Sequence, residues 1–393
     1  MRTTLPLFLK QSGNRNLLTK LTLLLPLLVL FFSNSFSQKT EFSGENALSI
    51  LKALVLDIGP RPMGSPAEQQ ALNFAAGKFK EYGCDTSYVL PMTVAAGVNT
   101  RSGVAVGVKK GKSNRIIVIG GHIDSSGPEV PGTNDDGSGT ACVIELARVI
   151  CSRETESTVY FCCWGGEEQG LRGSTFFVNN FEHLDSVVLM LQLDMADGSS
   201  HLIADPDGSK ASAPSWLVKS AFEIFYYDLE KSGLVYQTAS STLNLAAGGA
   251  FGSDHIPFID KGIPAIDFTS DVTFPIHTPQ DNWENFTPSG LKRSGDLVLK
   301  LFEKYDGGVP SRTTEQYQMI QFGSQVFFIS YPVIWVFIGI SLAVAVVAFV
   351  RARKNRIVPD PEKKIKWSRF KLIGAALVLQ LFVWSSETVV GLI

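Results

Sequence analysis

Three runs of apolar residues, each followed at once by glycine and ionisable residues, constrain the fold of this chain most. They cover residues 116–119, 158–164 and 187–193. Short apolar runs of this kind are typical of strands buried on both faces, as in parallel sheets. Amphipathic helical segments alternate with them. The pattern indicates an α/β domain over residues 38–310, with a mixed, mostly parallel central sheet flanked by helices.

The residues that follow these runs include ionisable side chains that can take part in a site. The first run leads into GGHID at 120–124, the second into GGEE at 165–168, and the third into DM at 194–195. Ligand sites of open α/β sheets lie at the carboxyl ends of the strands. A glycine-rich loop, PGTNDDGSG at 131–139, precedes a predicted helix over residues 138–151. We therefore expect these side chains to meet at one edge of the sheet.

An early helix is predicted over residues 66–82. Ser65 and Glu68 have the spacing of a capping box, Pro66 occupies the first helical position, and Gly83 follows the last turn. Apolar residues recur between them at helical spacing.

Taken singly, the ionisable residues have ordinary explanations, since a lone histidine is usually a satisfied polar group and Asp-Asp-Gly is usually a turn. Their order and context favour a metal site. Zinc binds histidine nitrogens and carboxylate oxygens, and two zinc ions roughly 3.5 to 4 Å apart need a bridging carboxylate. Two histidines and three acids suffice for two ions, and the candidates are His122, Asp135, Glu167, Glu168, Asp194 and His277.

With these motifs, the chain resembles metallopeptidase family 28, which includes bacterial leucyl aminopeptidases, aminopeptidase Y and glutamate carboxypeptidase. The resemblance covers roughly residues 55–305 and rests on HID at 122–124, NDDGSG at 134–139, GGEEQGLRGS at 165–174, LDM at 193–195, SDHIPF at 253–258 and HTPQD at 277–281. It implies the zinc-dependent exopeptidase fold. A motif set in this order is far more specific than one short pattern.

The resemblance also implies roles for individual residues. Glu167 would be the general base that takes a proton from a metal-bound water. Two Zn²⁺ ions are the implied cofactors, although carboxylate-rich sites also accept cobalt or manganese. The implied ligands are His122 and Asp194 on one ion, Glu168 and His277 on the other, and Asp135 as the bridge.

Residues beside the ligands have supporting roles. Asp124 lies two residues after His122 on the same side of an extended segment, so its carboxylate can orient the imidazole; an ordinary turn acid is the alternative. In the family the peptide after the bridging aspartate tends to be cis, which implies that Asp136 shapes the loop. Asp254 and His255 resemble a structural segment near the substrate pocket.

One position departs from the family's pattern. Ile276 stands where several members have a tyrosine that can help stabilise the tetrahedral oxyanion. The source of that stabilisation is left open by the sequence.

The predicted function is that of a membrane-anchored di-zinc exopeptidase acting on peptides. An aminopeptidase is preferred to a carboxypeptidase. Two alternatives stay open: a glutaminyl-cyclase-like acyltransferase on the same fold, and a non-catalytic receptor that keeps the fold. Side-chain specificity and oligomeric state are not predicted.

A membrane anchor is predicted because residues 326–350 contain no charge and are long enough to span a bilayer. The nine Lys and Arg of residues 351–371 predict a cytoplasmic loop, which puts the peptidase domain on the non-cytoplasmic side. Residues 372–393 form a predicted second span, and residues 1–37 a signal peptide or N-terminal anchor. Residues 311–325 are interpreted as a linker. This architecture resembles that of the endoplasmic-reticulum and vacuolar membrane peptidases of the family.

Charge and cysteine content exclude other classes. The net charge of −2 becomes −13 once residues 1–20 and 351–371 are left out, and such an acidic body argues against a nucleic-acid partner. The five cysteines are too few for a disulfide framework. Free buried thiols are favoured, especially for Cys162 and Cys163 within an apolar run, and one bridge among the others stays open in an oxidising compartment.

Overall fold

A computed structural model of the chain describes Met1 and residues 40–94, 100–199, 201–236, 252–270 and 275–354. The chain divides into two units, Met1–Glu41 and Phe42–Ile393. The described part of the first unit is Met1, Thr40 and Glu41. Nearly all of the predicted signal or anchor, most of the predicted basic loop and the whole predicted second span lie outside the described residues. The elements below belong to the second unit.

The described helices are α1 (Gly44–Lys52), α2 (Pro66–Glu81), α3 (Gly139–Cys151), α4 (Arg172–Asn180), α5 (Ser215–Glu223), α6 (Ile256–Asp260), α7 (Ser289–Tyr305) and α8 (Tyr331–Lys354). Wider π-helical turns cover Ala53–Ile58 and Ile224–Asp228. The described strands are β1 (Thr86–Val94), β2 (Thr100–Lys109), β3 (Ile116–His122), β4 (Thr158–Trp164), β5 (Val187–Asp194), β6 (Leu202–Asp205), β7 (Leu234–Val235), β8 (Ala265–Ser270), β9 (Tyr317–Phe322) and β10 (Gln325–Ser330).

Strands β1 to β8 form one sheet in the order β1-β2-β4-β3-β5-β8-β6-β7. The central strands β4, β3, β5 and β8 run parallel to one another. Strands β1 and β2 add antiparallel pairs on one side, and β6 lies antiparallel to β8 on the other. The predicted mixed sheet with parallel centre is confirmed, and β3, β4 and β5 contain the three predicted apolar runs.

The core lies on both faces of the sheet. Cys162 and Cys163 are both fully buried, and because successive strand residues point to opposite faces they join separate apolar clusters. Cysteine therefore serves here as a small apolar residue, as predicted.

Helix α2 begins as predicted, with the Ser65 hydroxyl accepting a hydrogen bond from the Glu68 N–H at 3.0 Å. The second half of the capping box is wrong. The Glu68 carboxylate does not return to Ser65; it is buried and accepts from the Gly64 N–H at 2.6 Å and the Ser102 hydroxyl at 2.6 Å. Glu68 thus ties the start of α2 to strand β2.

The boundary between the predicted linker and the predicted membrane span is corrected. Strand β9 lies within residues 311–325, and β10 takes up the first residues of the predicted span at 326–350, so the helix starts at Tyr331. Val326 and Phe328 alternate toward the apolar core, which favours a strand. An uncharged run gives no sign of where a strand ends and a helix begins. The segment Tyr331–Arg351 is long and apolar enough to cross a membrane and is not buried in the protein.

Candidate metal centre

The parallel strands bring the predicted site residues to one edge of the sheet. His122 is the last residue of β3 and lies beside Trp164, the last residue of β4. Glu167 and Glu168 follow β4 after two glycines, and Asp194 ends β5. Because these strands are parallel neighbours, their ends meet.

The loop before α3 supplies Asp135 and Asp136, joined by a cis peptide bond. Asp136 points inward, where its carboxylate accepts hydrogen bonds from the N–H groups of His122 at 3.0 Å, Gly139 at 2.7 Å and Met195 at 2.9 Å. It thereby joins the ends of β3 and β5 to the start of α3, in agreement with its predicted role in shaping the loop. A side chain at Gly139 would collide with this carboxylate.

The carboxylates and imidazoles form two groups that share Asp135. In the first, the Nε2 of His122 lies 3.0 Å from one oxygen of Asp135 and 3.5 Å from Asp194. In the second, the Nε2 of His277 lies 3.1 Å from the other oxygen of Asp135 and 3.1 Å from Glu168. The two oxygens of Asp135 thus face different histidines, which is the arrangement required of a bridging ligand. All five predicted ligands are brought together.

Asp124 supports both strand ends. Its carboxylate accepts hydrogen bonds from the N–H groups of Glu167 at 3.0 Å and Glu168 at 3.3 Å, and one oxygen lies 3.5 Å from the Nδ1 of His122. The geometry agrees with the predicted orienting role and adds a second one, since Asp124 also fixes the backbone that carries the two glutamates.

The predicted general base lies beside the first group. One carboxylate oxygen of Glu167 is 3.9 Å from the Nε2 of His122. Burial raises the pKa of Glu167 well above its ordinary value, although the neighbouring His122 opposes the shift. A carboxylate in such a place has increased affinity for a proton.

The electrostatics of the cluster favour bound cations. Burial alone would raise the pKa of Asp135, yet hydrogen bonds from both imidazoles bring it below its ordinary value. Hydrogen bonds to Asp135 and Glu168 raise the pKa of His277 to about 10. The carboxylates of the cluster therefore stabilise positive charge beside the Nε2 atoms of His122 and His277.

The donor set fits metal ions. The atoms of each group lie within 4.8 Å of one another, and each group offers histidine nitrogen and carboxylate oxygen, the donors that zinc prefers. One oxygen of Glu168 and one of Asp194 are buried without a hydrogen-bond partner. Buried carboxylate oxygens are rarely left in that state, and a metal ion would satisfy them.

Comparison with known proteins identifies the family. The profile of peptidase family M28 matches residues 104–302, about half of the chain. This chain belongs to peptidase family M28. Aminopeptidase YwaD of Bacillus subtilis is 30% identical in an alignment of 227 residues that covers 53% of this chain and 45% of that protein. The chain thus spans less than half the length of the curated relatives it matches.

Solved structures share the fold of this M28 chain. The zinc aminopeptidase BSAP from Bacillus subtilis aligns with a TM-score of 0.58 and 20% identity, covering 67% of this chain and 95% of that one. Porphyromonas gingivalis glutaminyl cyclase aligns with a TM-score of 0.56 and 19% identity, covering 67% and 98%. Since the two neighbours align about equally well, the fold alone does not separate a peptidase from a cyclase.

Sequence reasoning missed two residues that support the loop carrying Asp135. Asp281, the last residue of the HTPQD motif, accepts hydrogen bonds from the N–H groups of Thr133 at 3.1 Å, Asn134 at 2.7 Å and Asp135 at 3.1 Å. Burial raises the pKa of Asp281 to about 6, against the lowering effect of these donors. Its place in a motif that also contains the predicted ligand His277 was the available signal.

Arg61 is the second missed residue. It is fully buried and donates to backbone oxygens on both sides of the site, among them those of Ile123 at 2.9 Å, Pro131 at 3.0 Å and Gly132 at 2.9 Å. It holds the segment after β3 against the loop that carries Asp135. No motif in the sequence marks it, because its partners are main-chain atoms.

Asp254 and His255 lie outside both groups. The Ser174 hydroxyl donates to Asp254, and burial raises the pKa of that carboxyl to about 7. His255 donates from Nε2 to the carbonyl of Asp207 at 3.0 Å, and burial lowers its pKa to about 4, so it is neutral at pH 7. Both are internal polar residues, as their motif predicted.

Proposed function

We propose that this chain is a di-zinc exopeptidase, and specifically an aminopeptidase, anchored to a membrane through α8. The shared position of Asp135 between two histidine and carboxylate groups carries the proposal. A site for one metal ion would need only one of these sets of ligands, so it would not require the two oxygens of Asp135 to face separate sets.

Each residue of the site would have its own role. His122 and Asp194 would hold one ion, Glu168 and His277 the other, and Asp135 would bridge them. Zinc bound there would lower the pKa of a water molecule and polarise the scissile carbonyl. Glu167 would take the proton from the attacking water and deliver it to the leaving amine. Asp124 would hold the ring of His122 and the backbone of Glu167 and Glu168 in position.

Replacement of Glu167 tests the chemistry. Glu167→Gln keeps the size of the side chain and removes the base, so turnover should fall by about a hundredfold or more while zinc content stays the same. Exposed Glu182→Gln is the matched control. Unchanged turnover in Glu167→Gln would refute the role of this residue.

A peptide mixture distinguishes the end that is attacked. The zinc-loaded chain is given peptides with free amino termini and their N-acetylated twins, and products are followed by mass spectrometry. Stepwise loss from the free peptides alone supports an aminopeptidase. Loss from the carboxyl end of both sets assigns a carboxypeptidase, and no cleavage of either with two zinc ions bound favours the non-catalytic receptor.

The cyclase alternative has one observation in its favour, the glutaminyl cyclase among the structural neighbours. It predicts one zinc ion per chain and loss of ammonia from peptides that begin with glutamine. Metal analysis of the purified chain, together with such a peptide, decides between the two activities.

The membrane arrangement is part of the proposal. Helix α8 has the length and composition of a membrane span, and basic residues begin directly after its apolar part at Arg351. Basic residues are retained on the cytoplasmic side, so the peptidase domain would face the periplasm, the cell exterior or a lumen.

A further inference from the structure

Two cysteines far apart in the sequence meet at the surface of the domain. The sulfur atoms of Cys84 and Cys151 lie 3.1 Å apart, although 67 positions separate the residues. Both side chains are partly exposed, whereas Cys142, Cys162 and Cys163 are buried. The pair is therefore within reach of an oxidant in solution.

Their positions give a bond between them a structural effect. Cys151 is the last residue of α3, the helix that follows the Asp135 loop, and Cys84 follows the end of α2, where its N–H donates to the carbonyl of Phe79 at 3.0 Å. A bond would join the carboxyl ends of the two helices. The closed segment would contain His122, Asp124 and Asp135.

We propose that Cys84 and Cys151 form a disulfide when the chain folds in an oxidising compartment, independently of the activity of the metal site. One thiolate of the pair attacks a disulfide oxidant and releases one thiol from it. The other thiolate then attacks the mixed disulfide and releases the second thiol. Two protons leave the cysteines, and the two electrons remain on the reduced oxidant. The hydrogen bond to Cys151 and burial raise the pKa of Cys84, which lowers its thiolate fraction and slows the exchange.

The test uses the full chain equilibrated with reduced and oxidised glutathione, followed by alkylation and mass spectrometry. We expect a linked Cys84–Cys151 peptide pair, with the other cysteines alkylated after unfolding. Closing this long segment should raise the melting temperature of the oxidised chain by about 5 to 10 °C. The shift should vanish in Cys84→Ser/Cys151→Ser. Separate glutathione adducts on the two cysteines, without a linked peptide, would overturn the proposal.

A second, independent observation concerns the β9–β10 hairpin, which directly precedes α8. Its strands pair in register around the turn Gly323-Ser324, with Phe327 opposite Ile320 and Phe328 opposite Met319. The turn is fixed to the domain, since the hydroxyl of Ser324 bonds that of Tyr227 at 2.8 Å. The hairpin is thus a rigid part of the domain and not a free linker.

The inner face of the hairpin packs on the domain. Tyr317 and Met319 are buried, and Val326 and Phe328 pack against the apolar core. The rings of Tyr317 and Phe328 meet edge to face at 4.8 Å. This face accounts for only half of the apolar residues of the hairpin.

The outer face carries four apolar residues beside Gln318 and Gln325, and it has no comparable cover among the described residues. Phe322 and Phe327 are 54% and 53% exposed, and their rings contact each other at 5.9 Å. Ile320 and Ile329 lie on the same face by alternation. Residues 316–330 carry no charge, so the uncharged run that ends at Val350 starts fifteen residues before α8. A water-exposed hairpin usually carries polar residues on its outer face.

We infer that this outer face rests in the interfacial layer of the membrane that α8 enters, an inference that depends on the proposed anchoring. The helix starts at Tyr331, immediately after β10, and the N–H of Tyr331 donates to the carbonyl of Gln316 at the base of the hairpin. The hairpin therefore cannot leave the membrane surface once the helix is inserted. Exposed apolar side chains on a segment that carries no charged residue suit that layer. The contact fixes the orientation of the peptidase domain on the bilayer.

Photo-crosslinking tests this inference. Benzoylphenylalanine is placed in the full chain at Phe327 on the outer face, at Phe328 on the inner face, or at Phe337 in α8, and each protein is reconstituted in phosphatidylcholine and phosphatidylglycerol vesicles. We expect lipid adducts at Phe337 and Phe327, with about tenfold fewer at Phe328 because that side chain faces the core.

The outcomes separate the hairpin from the anchor. Lipid adducts at Phe337 without adducts at Phe327 would overturn the hairpin contact and leave the anchor intact. An absence of adducts at Phe337 would overturn both. Adducts from Phe327 to another chain, in place of lipid, would show that a protein covers this face and would also overturn the inference.

Discussion

At the scale of single residues, the site depends on groups that hold main-chain atoms. Arg61 donates from all three guanidinium nitrogens, to oxygens that include those of Leu54 and Gly59 as well as the site segments. Burial lowers the pKa of Arg61 to about 10, so it remains charged at pH 7. Lysine offers three donors at one point and cannot reach these acceptors together.

Arg61→Lys should therefore lower the free energy of unfolding by about 2 to 4 kcal/mol, because buried carbonyl oxygens lose their donors. Chemical denaturation of the metal-free chain measures the effect. Exposed Arg101→Lys is the control and should change little. A change for Arg61→Lys as small as that of the control would show that water replaces the lost contacts.

Asp281 leads to a second residue-scale prediction. Asparagine has one acceptor oxygen, so Asp281→Asn leaves at least one of the three loop N–H groups facing an NH₂ group. We expect a loss of about 1 to 3 kcal/mol in unfolding free energy and weaker zinc retention, because the loop holds Asp135. Competition with a chelator measures the second effect, with exposed Asp185→Asn as the control. Full zinc retention would show that the ligands alone define the loop.

These two residues also show where sequence reasoning ended. The candidate ligands could be named because metal chemistry favours histidine and carboxylate, and because the resemblance to the family implied the role of each one. Arg61 and Asp281 bind backbone groups, which every residue possesses, so their partners leave no pattern in the sequence. The HTPQD motif marks the position of Asp281, but only the folded chain reveals what either residue binds.

At the scale of elements, long buried strands were predictable and the short strands before α8 were not. Strands β3, β4 and β5 are apolar on both faces, and that pattern follows from their central place in the sheet. The β9–β10 hairpin carries apolar residues on both faces, and the run continues into α8 without a charge. With no charged residue to mark the change of period, the sequence predicts the end of a linker and the start of a helix where the structure has a pair of strands.

The start of α2 carries the prediction at this scale. Ser65 caps the helix through its hydroxyl, and Glu68 is occupied by Gly64 and Ser102. Ser65→Ala should lower the free energy of unfolding by about 1 kcal/mol, because the N–H of Glu68 loses its acceptor. Exposed Ser209→Ala serves as the control in the same denaturation series. A neutral Ser65→Ala would mean that the contacts of Glu68 alone fix the start of the helix.

At the scale of the whole molecule, the acidic centre predicts a link between metal and stability. Bringing several carboxylates together costs free energy unless cations are bound, so zinc should raise the melting temperature. At a hundredfold excess over its dissociation constant, each site contributes about 2.7 kcal/mol. Calorimetry with increasing zinc should show two equivalents bound, and His277→Ala should bind one. One equivalent in the unaltered chain would contradict the bridging role of Asp135.

The proposed direction of the chain across a membrane also follows from the distribution of charge. An acidic domain precedes α8 and a basic segment follows it, and the energetic preference of Lys and Arg for the cytoplasmic side acts on the segment nearest the span. Protease added on the non-cytoplasmic side of intact membranes should therefore degrade the peptidase domain and leave an epitope placed within residues 355–371 intact. Permeabilised membranes are the control, in which both are lost. Survival of the domain together with loss of the epitope would reverse the orientation and place the metal centre in the cytoplasm, where the Cys84–Cys151 pair would stay reduced.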